Sequence, residues 1–133
     1  MSAGSPALGV AIVSQNAETA AHLREYFESR NVHATALSRL ADAASVPCEA
    51  LVLFPDECAP GELTGGLQRL TARLSELRLV IVTSDTKRFL KLRDSLDAAA
   101  QSRFVVLPRP AFSWTLFEQV VCPSTDSETV RGF

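Results

Sequence analysis

The chain has 133 residues, about the size of one domain, and 47% of them are hydrophobic, which is enough to form a core. A formal net charge of −2 and an isoelectric point near 5.7 argue against nucleic-acid binding by the whole surface. No apolar run approaches the ~18 residues of a membrane span, and the first residues lack the pattern of a secretory signal. Cys48, Cys58 and Cys122 have no metal-binding or CxxC spacing, so we expect free thiols in a reducing cytoplasm.

Five short apolar runs alternate with five helical patterns along the chain. Continuous runs of β-branched and other apolar residues are typical of strands that are buried on both faces of a sheet. The predicted strands are 9–13, a weaker 32–37, 50–54, 79–83 and 104–107. The predicted helices begin after Asn16, which can cap the first of them, and then span about 38–45, 63–77, 87–100 and 114–121.

The third predicted helix carries leucines along one face. They are spaced by four and three residues in turn, which is the period of a helix face, and they are Leu63, Leu67, Leu70, Leu74 and Leu77. Such a stripe either packs on a sheet or forms the seam of a homodimer. We expect it to pack on the sheet.

This alternation predicts a single α/β domain over residues 9–122, between a flexible N-terminus, 1–8, and a flexible tail, 123–133. The expected architecture is a five-stranded parallel sheet, doubly wound and flavodoxin-like, with helices on both faces. In such sheets, ligand sites form at the carboxyl ends of the strands. The segments that would meet there are 14–16, 54–56, 83–85 and 108–110.

At these strand ends the chain resembles the receiver domain of bacterial two-component response regulators, over about residues 8–121. The segment Val82-Thr83-Ser84 resembles the family's apolar-Thr/Ser-Ala segment, whose hydroxyl contacts the bound phosphoryl group. Arg109-Pro110 resembles the family's Lys-Pro, which would make Pro110 a candidate cis proline. The register is open by two residues, because Leu107-Pro108 is an alternative equivalent.

The residues that would carry phosphoryl transfer depart from the family pattern. Phe54 stands where the resemblance places the phosphate-accepting aspartate, and a phenyl ring cannot accept phosphate. The turn 14–16 has neutral side chains where two metal-binding acids are expected, and Mg²⁺ prefers carboxylates. The sequence therefore predicts no metal, no cofactor and no catalytic residue, and a degenerate pocket made of Ser14, Gln15, Asn16, Phe54, Asp56, Thr83, Ser84, Arg109 and Pro110.

Three functions compete on this evidence. The favoured one is a phosphorylation-independent pseudo-receiver, not an enzyme, that acts as a protein–protein interaction module in signalling. The second is a small-ligand or nucleotide site in the vacated pocket, and we expect the ring of Phe54 to fill this pocket and so to oppose a ligand. The third is a receiver phosphorylated at a displaced Asp56, although we expect Asp56 to cap backbone amides in its turn instead.

Charge is divided along the chain and indicates where a partner would bind. Residues 78–109 carry seven Lys/Arg against three Asp/Glu, whereas residues 1–77 carry five against nine. Charge asymmetry of this kind indicates either a face suited to an acidic partner or scattered, solvated surface charge. We expect a protein partner with an acidic surface, and neither direct nucleic-acid nor membrane binding. The predicted surface includes Lys87, Arg88 and Lys91, which lie off the apolar stripe of their helix and should reach solvent, together with Arg103, Val106 and Trp114.

Overall fold

The computed structural model describes residues 9–43, 48–74, 77–109 and 111–121. Their strands form one five-stranded parallel sheet in the order β2-β1-β3-β4-β5, which confirms the predicted doubly wound architecture. The order reverses at β1, and consecutive strands are joined through helices. The strands are β1 Gly9–Val13, β2 His33–Leu37, β3 Ala50–Leu53, β4 Arg78–Thr83 and β5 Phe104–Pro108.

The helices cover both faces of the sheet. They are α1 Ala17–Glu28, α2 Leu40–Ala43, α3 Pro60–Thr71, α4 Thr86–Asp94, α5 Ala98–Gln101 and α6 Ser113–Val121, and a single 3₁₀ turn spans Pro55–Glu57 after β3. Among the described residues, no helix is both long and apolar enough to cross a membrane. The predicted flexible termini, Pro110 and Cys122 lie outside the described residues.

Two predicted helices were too long. The helix predicted over 87–100 is two helices, because the Ser95 hydroxyl donates to the carbonyl oxygen of Leu92 at the end of α4 and Asp97 then caps α5. The Asp97 side chain accepts from the amide of Ala100 at 2.8 Å, so a new helix begins there. The third helix ends at Thr71, and Leu74 and Leu77 lie in the connection to β4.

Alternate residues of each strand enter two separate hydrophobic layers. Leu51 and Leu53 of β3 pack on the side of α2, α3 and α4. Val52 and Phe54 pack on the other side, against α1 and α6. All five leucines of the stripe are buried in the first layer, so they belong to the core and leave no exposed dimer seam.

Candidate functional site

The carboxyl ends of β1, β3, β4 and β5 bring four loops together at one edge of the sheet. The amide of Phe54 donates to the carbonyl oxygen of Val13 at 3.3 Å, which ties the β3 end to β1. The amide of Arg109 donates to the carbonyl oxygen of Thr83 at 3.2 Å, which ties the β5 end to β4. These bonds continue the parallel ladders past the strands, so side chains distant in sequence meet at this edge.

The centre of the site is the carboxylate of Asp56. Its Oδ1 accepts from the hydroxyl of Thr83 at 2.7 Å. Its Oδ2 accepts from both the backbone amide and the hydroxyl of Ser84, each at 2.9 Å. A guanidinium nitrogen of Arg109 lies 3.6 Å from the same Oδ2. One carboxylate oxygen is therefore bound by Thr83 at the end of β4, and the other lies against Ser84 and Arg109, which follow β4 and β5.

Thr83 positions this carboxylate from inside the core. Thr83 is fully buried and is the last residue of β4. While its hydroxyl donates to Asp56, the same oxygen accepts from the amide of Asp85 at 2.9 Å. The hydroxyl is thus partnered on both sides, and its direction is fixed by the start of the connection to α4.

The surroundings of Asp56 favour its ionised form. Burial by itself acts to raise the pKa of the Asp56 carboxyl, but the hydrogen bonds from Ser84 and Thr83 and the charge of Arg109 outweigh it. The net result is a pKa below the ordinary value of 3.8. At neutral pH the site therefore holds a fixed negative charge of the chain's own.

A second carboxylate organises the turn after β1. Oε1 of Glu57 accepts from the hydroxyl of Ser14 at 2.9 Å and from the amide of Gln15 at 2.8 Å. Asn16 caps α1 as predicted, since its side-chain oxygen accepts from the amides of Glu18 and Thr19. The role of Glu57 was not predicted; its position directly after Asp56, in a loop leaving the third strand, was the only signal for it.

Phe54 does not lie over this pocket, so the prediction that its ring fills the pocket is wrong. Its side chain follows Val52 in the alternation of β3 and enters the layer of α1 and α6, where it is 6% exposed. There it lines a cavity of about 280 Å³ with residues such as Leu23 and Leu116. The side chain that meets Thr83 is instead the carboxylate of Asp56, which comes from the 3₁₀ turn.

Asp56 lies in a turn and accepts a backbone amide, as expected, but that amide belongs to Ser84, directly after β4, rather than to its own turn. Of the predicted pocket residues, Ser14, Gln15 and Asn16 sit beside Glu57, whereas Thr83, Ser84 and Arg109 surround Asp56. Within residues 9–43, 48–74, 77–109 and 111–121, no group of three His, Cys, Asp or Glu side chains is placed to hold a metal ion.

The predicted partner surface is only partly contiguous. Lys87, Arg88 and Lys91 are exposed along α4, as predicted. Arg103 precedes β5, whereas Arg109 follows it, so the two lie at opposite ends of that strand. Arg103 and Arg109 therefore do not form one patch with each other, and the guanidinium of Arg103 donates to the carbonyl oxygen of Leu77 at 3.3 Å.

The two other predicted contact residues lie on β5 and α6. Val106 is half-buried on β5, which pairs only with β4 and forms an edge of the sheet. Trp114 is 55% exposed and its ring stacks on that of Phe112, with 6.1 Å between centroids. Both residues are accessible to a partner.

The cysteines in the described part of the chain are free and half-buried, as predicted. Burial raises the pKa of the Cys48 thiol despite the opposing charge of Arg73. Burial and the negative charges of Glu62 and Glu57 raise the pKa of Cys58 to about 11. Neither thiol is an activated nucleophile at neutral pH.

Comparison of the sequence with protein-family models and with curated proteins gives no match. Solved structures do match. A signal receiver domain from Vibrio parahaemolyticus superposes with a TM-score of 0.70 at 11% identity, covering 94% of this chain and 95% of that one. A response regulator receiver protein from Sinorhizobium medicae gives 0.66 at 14% identity, covering 86% and 91%. A Burkholderia pseudomallei response regulator with a phosphorylated aspartic acid and a calcium ion gives 0.65 at 12%, covering 93% and 72%. The chain therefore has the receiver fold, and at these identities the likeness shows the fold alone.

Proposed function

We propose that this chain is a receiver-fold signalling module that binds a protein partner without being phosphorylated and without catalysing a reaction. The observation that carries the proposal is the occupied pocket at the strand ends. The Asp56 carboxylate already holds the hydroxyl of Thr83, the amide of Ser84 and the guanidinium of Arg109. A hydroxyl, an amide and a cation are the groups that would otherwise receive the oxygens of a phosphoryl group.

The carboxylate of Asp56 thus takes the anion position of the pocket. Here an aspartate from the 3₁₀ turn supplies the anion permanently, because its pKa lies below the ordinary value. The arrangement around Thr83 and Arg109 is therefore constant rather than switched by phosphate, which suits a module that is always competent to bind.

A metal-binding set of side chains, which phosphoryl transfer would also need, is not grouped at this site among the described residues. Phe54 occupies the position after β3 and faces the other hydrophobic layer. Glu57 is engaged by Ser14 and Gln15, and no set of three acidic or other metal-binding side chains is grouped there. Phosphoryl transfer to a carboxylate needs a divalent metal ion, in addition to a cationic side chain, to offset the charge of the approaching oxygens.

A second candidate function has one observation in its favour. The Asp56 side chain is 25% exposed and lies against a hydroxyl and a guanidinium, so phosphorylation of Asp56 itself is the alternative. In this reaction one carboxylate oxygen would attack the phosphorus atom of a donor, whose leaving group departs, and that oxygen would lose its present hydrogen bonds. The existing contacts of Asp56 therefore oppose it.

The test is incubation of the chain with acetyl phosphate and Mg²⁺, followed by intact mass measurement, and with beryllofluoride, followed by amide NMR. We expect no added phosphoryl mass and no shift of the Thr83, Ser84 or Arg109 amides. The matched control is Asp56→Asn, which keeps the side-chain volume and removes the acceptor. An adduct on the natural sequence that disappears in this variant would establish the alternative and overturn the proposal.

A second variant checks the account of Phe54. Phe54→Asp would restore an aspartate directly after β3, but that side chain would enter the layer of α1 and α6, away from Thr83. We expect this variant to take up no phosphoryl group and to lose stability, because it buries a carboxylate without a partner. Ready phosphorylation of Phe54→Asp would show that this edge of the sheet binds a divalent metal ion, and it would contradict this account.

A further inference from the structure

A groove of about 450 Å³ runs between α3 and α4, on the face of the sheet opposite to α1 and α6. The α3 side is formed by residues at positions i, i+3, i+4 and i+7 of one helix face, Thr64, Leu67, Gln68 and Thr71. These residues span about two turns of helix, or roughly 10 Å along its axis. The groove is separate from the Asp56 pocket, since none of the Asp56 partners lines it.

The floor of this groove is apolar and its rim on α4 is cationic. Leu67 and Phe89 are buried and Leu92 is half-buried, and all three line the groove. Arg88 and Lys91, one helical turn apart, are exposed beside them. Among the described residues, none of those that line the groove is acidic.

The guanidinium of Arg88 is exposed and lies beside the apolar floor of the groove. The carbon at the centre of its guanidinium lies 5.1 Å from the centroid of the Phe89 ring, over its face. A cation placed over a buried aromatic ring is fixed beside apolar surface, and part of its conformational freedom is already lost. A ligand that combines apolar and acidic groups would meet both features at once.

We infer that this groove binds an acidic amphipathic helix of a protein partner, an inference that rests on the partner-binding role proposed above. Apolar side chains spaced by three or four residues would contact Leu67, Phe89 and Leu92. Glu or Asp side chains next to that stripe would face Arg88 and Lys91. The groove extends over about two turns of α3, which matches the length over which such a helix presents one apolar face.

The direct test uses two synthetic peptides with the same leucine stripe, one flanked by Glu and the other by Lys. Each is titrated into the isotope-labelled full chain at low salt. We expect the Glu peptide to shift the amides of Thr64, Thr71 and Leu92 and the Lys peptide to leave them unchanged. Equal binding of both peptides, or no shift in these amides with the Glu peptide, would overturn the inference.

Charge-reversal variants separate the groove from a general attraction to the basic helix. Arg88→Glu and Lys91→Glu remove lining cations, and each should weaken the Glu peptide by about fivefold or more. Lys87→Glu is the matched control, because Lys87 is an exposed cation of the same helix that does not line the groove. An equal loss of affinity in Lys87→Glu would mean that the groove does not select the peptide. Unchanged melting temperatures in all three variants are expected, since these charges are exposed.

A neutral variant tests the shape of the groove without altering its charge. Gln68 is exposed on α3 and lines the groove, so Gln68→Trp should fill it and abolish peptide binding while the fold is kept. Retained binding by this variant would contradict the inference. Self-association of the chain that protects the same amides would also contradict it, because a second copy would then be the occupant.

The outcomes of this test and of the phosphorylation test are independent. A phosphoryl adduct at Asp56 would overturn the proposed phosphorylation independence and leave the peptide data standing. Failure of the Glu peptide to bind would overturn the groove assignment and leave the result at Asp56 unchanged.

Discussion

The hydrogen bond between Thr83 and Asp56 should be measurable as a coupling free energy in a double-mutant cycle. Thr83→Val removes the buried hydroxyl with little change of shape, and Asp56→Ala removes the acceptor. A hydrogen bond to a charged group contributes about 1.5–3 kcal/mol. Because the Asp56 side chain is 25% exposed, we expect the lower end of that range, about 1.5 kcal/mol, as the coupling.

The cycle isolates this bond from the other contacts of the two residues. The amide of Asp85 loses its acceptor both in Thr83→Val and in the double variant, so that cost cancels. The contacts of Asp56 with Ser84 and Arg109 are likewise lost in Asp56→Ala and in the double variant. The remaining difference is the free energy of the Thr83–Asp56 pair.

The free energies of unfolding would be measured by urea denaturation followed by far-ultraviolet circular dichroism, first near neutral pH and then at falling pH. The folded-state pKa of Asp56 is lower than its ordinary value of 3.8, so the ionised carboxylate stabilises the fold above that value. This stabilisation is lost as the pH falls through the lower, folded-state pKa. A coupling below about 0.5 kcal/mol near neutral pH would refute the bond and the occupied pocket with it.

Two further predictions concern the packing of the domain. Phe54→Ala should lower the free energy of unfolding by about 3–5 kcal/mol, because its ring is nearly fully buried between β3 and the layer of α1 and α6. Phe112 is 61% exposed, so Phe112→Ala should change the free energy of unfolding by less than about 0.5 kcal/mol in the same urea experiment. Similar losses in the two variants would contradict this packing. Gly66→Ala should destabilise the domain by about 1–3 kcal/mol, since the new methyl group would meet the buried side chain of Leu40. Gly65, on the same helix, has open space around it, so Gly65→Ala should stabilise the domain by up to about 1 kcal/mol. Equal effects of the two substitutions on the melting temperature would contradict the close approach of α2 and α3.

The sheet could be predicted from the sequence because its strands are marked by short local runs of apolar residues. Residues 50–53 and 79–82 are continuously apolar, and a strand covered on both faces buries every side chain of such a run. The alternation with helical periods then leaves parallel, doubly wound connections as the expected arrangement. Helix ends were less predictable, because the apolar spacing continues beyond Thr71 and through 95–97 although the backbone turns there.

The direction of the side chains at the carboxyl edge was decided by the tertiary structure alone. Phe54 and Asp56 are two residues apart, and the sequence by itself could not show which of them meets Thr83. The alternation of β3 sends Phe54 into the layer of α1 and α6, and the 3₁₀ turn that follows carries Asp56 back over the end of β4. Its partners lie 27 and 28 residues away in Thr83 and Ser84, with Arg109 arriving from a further strand. The sequence determined the sheet because burial of apolar runs is a local pattern, whereas the occupied pocket depends on how three loops meet, which only the assembled sheet fixes.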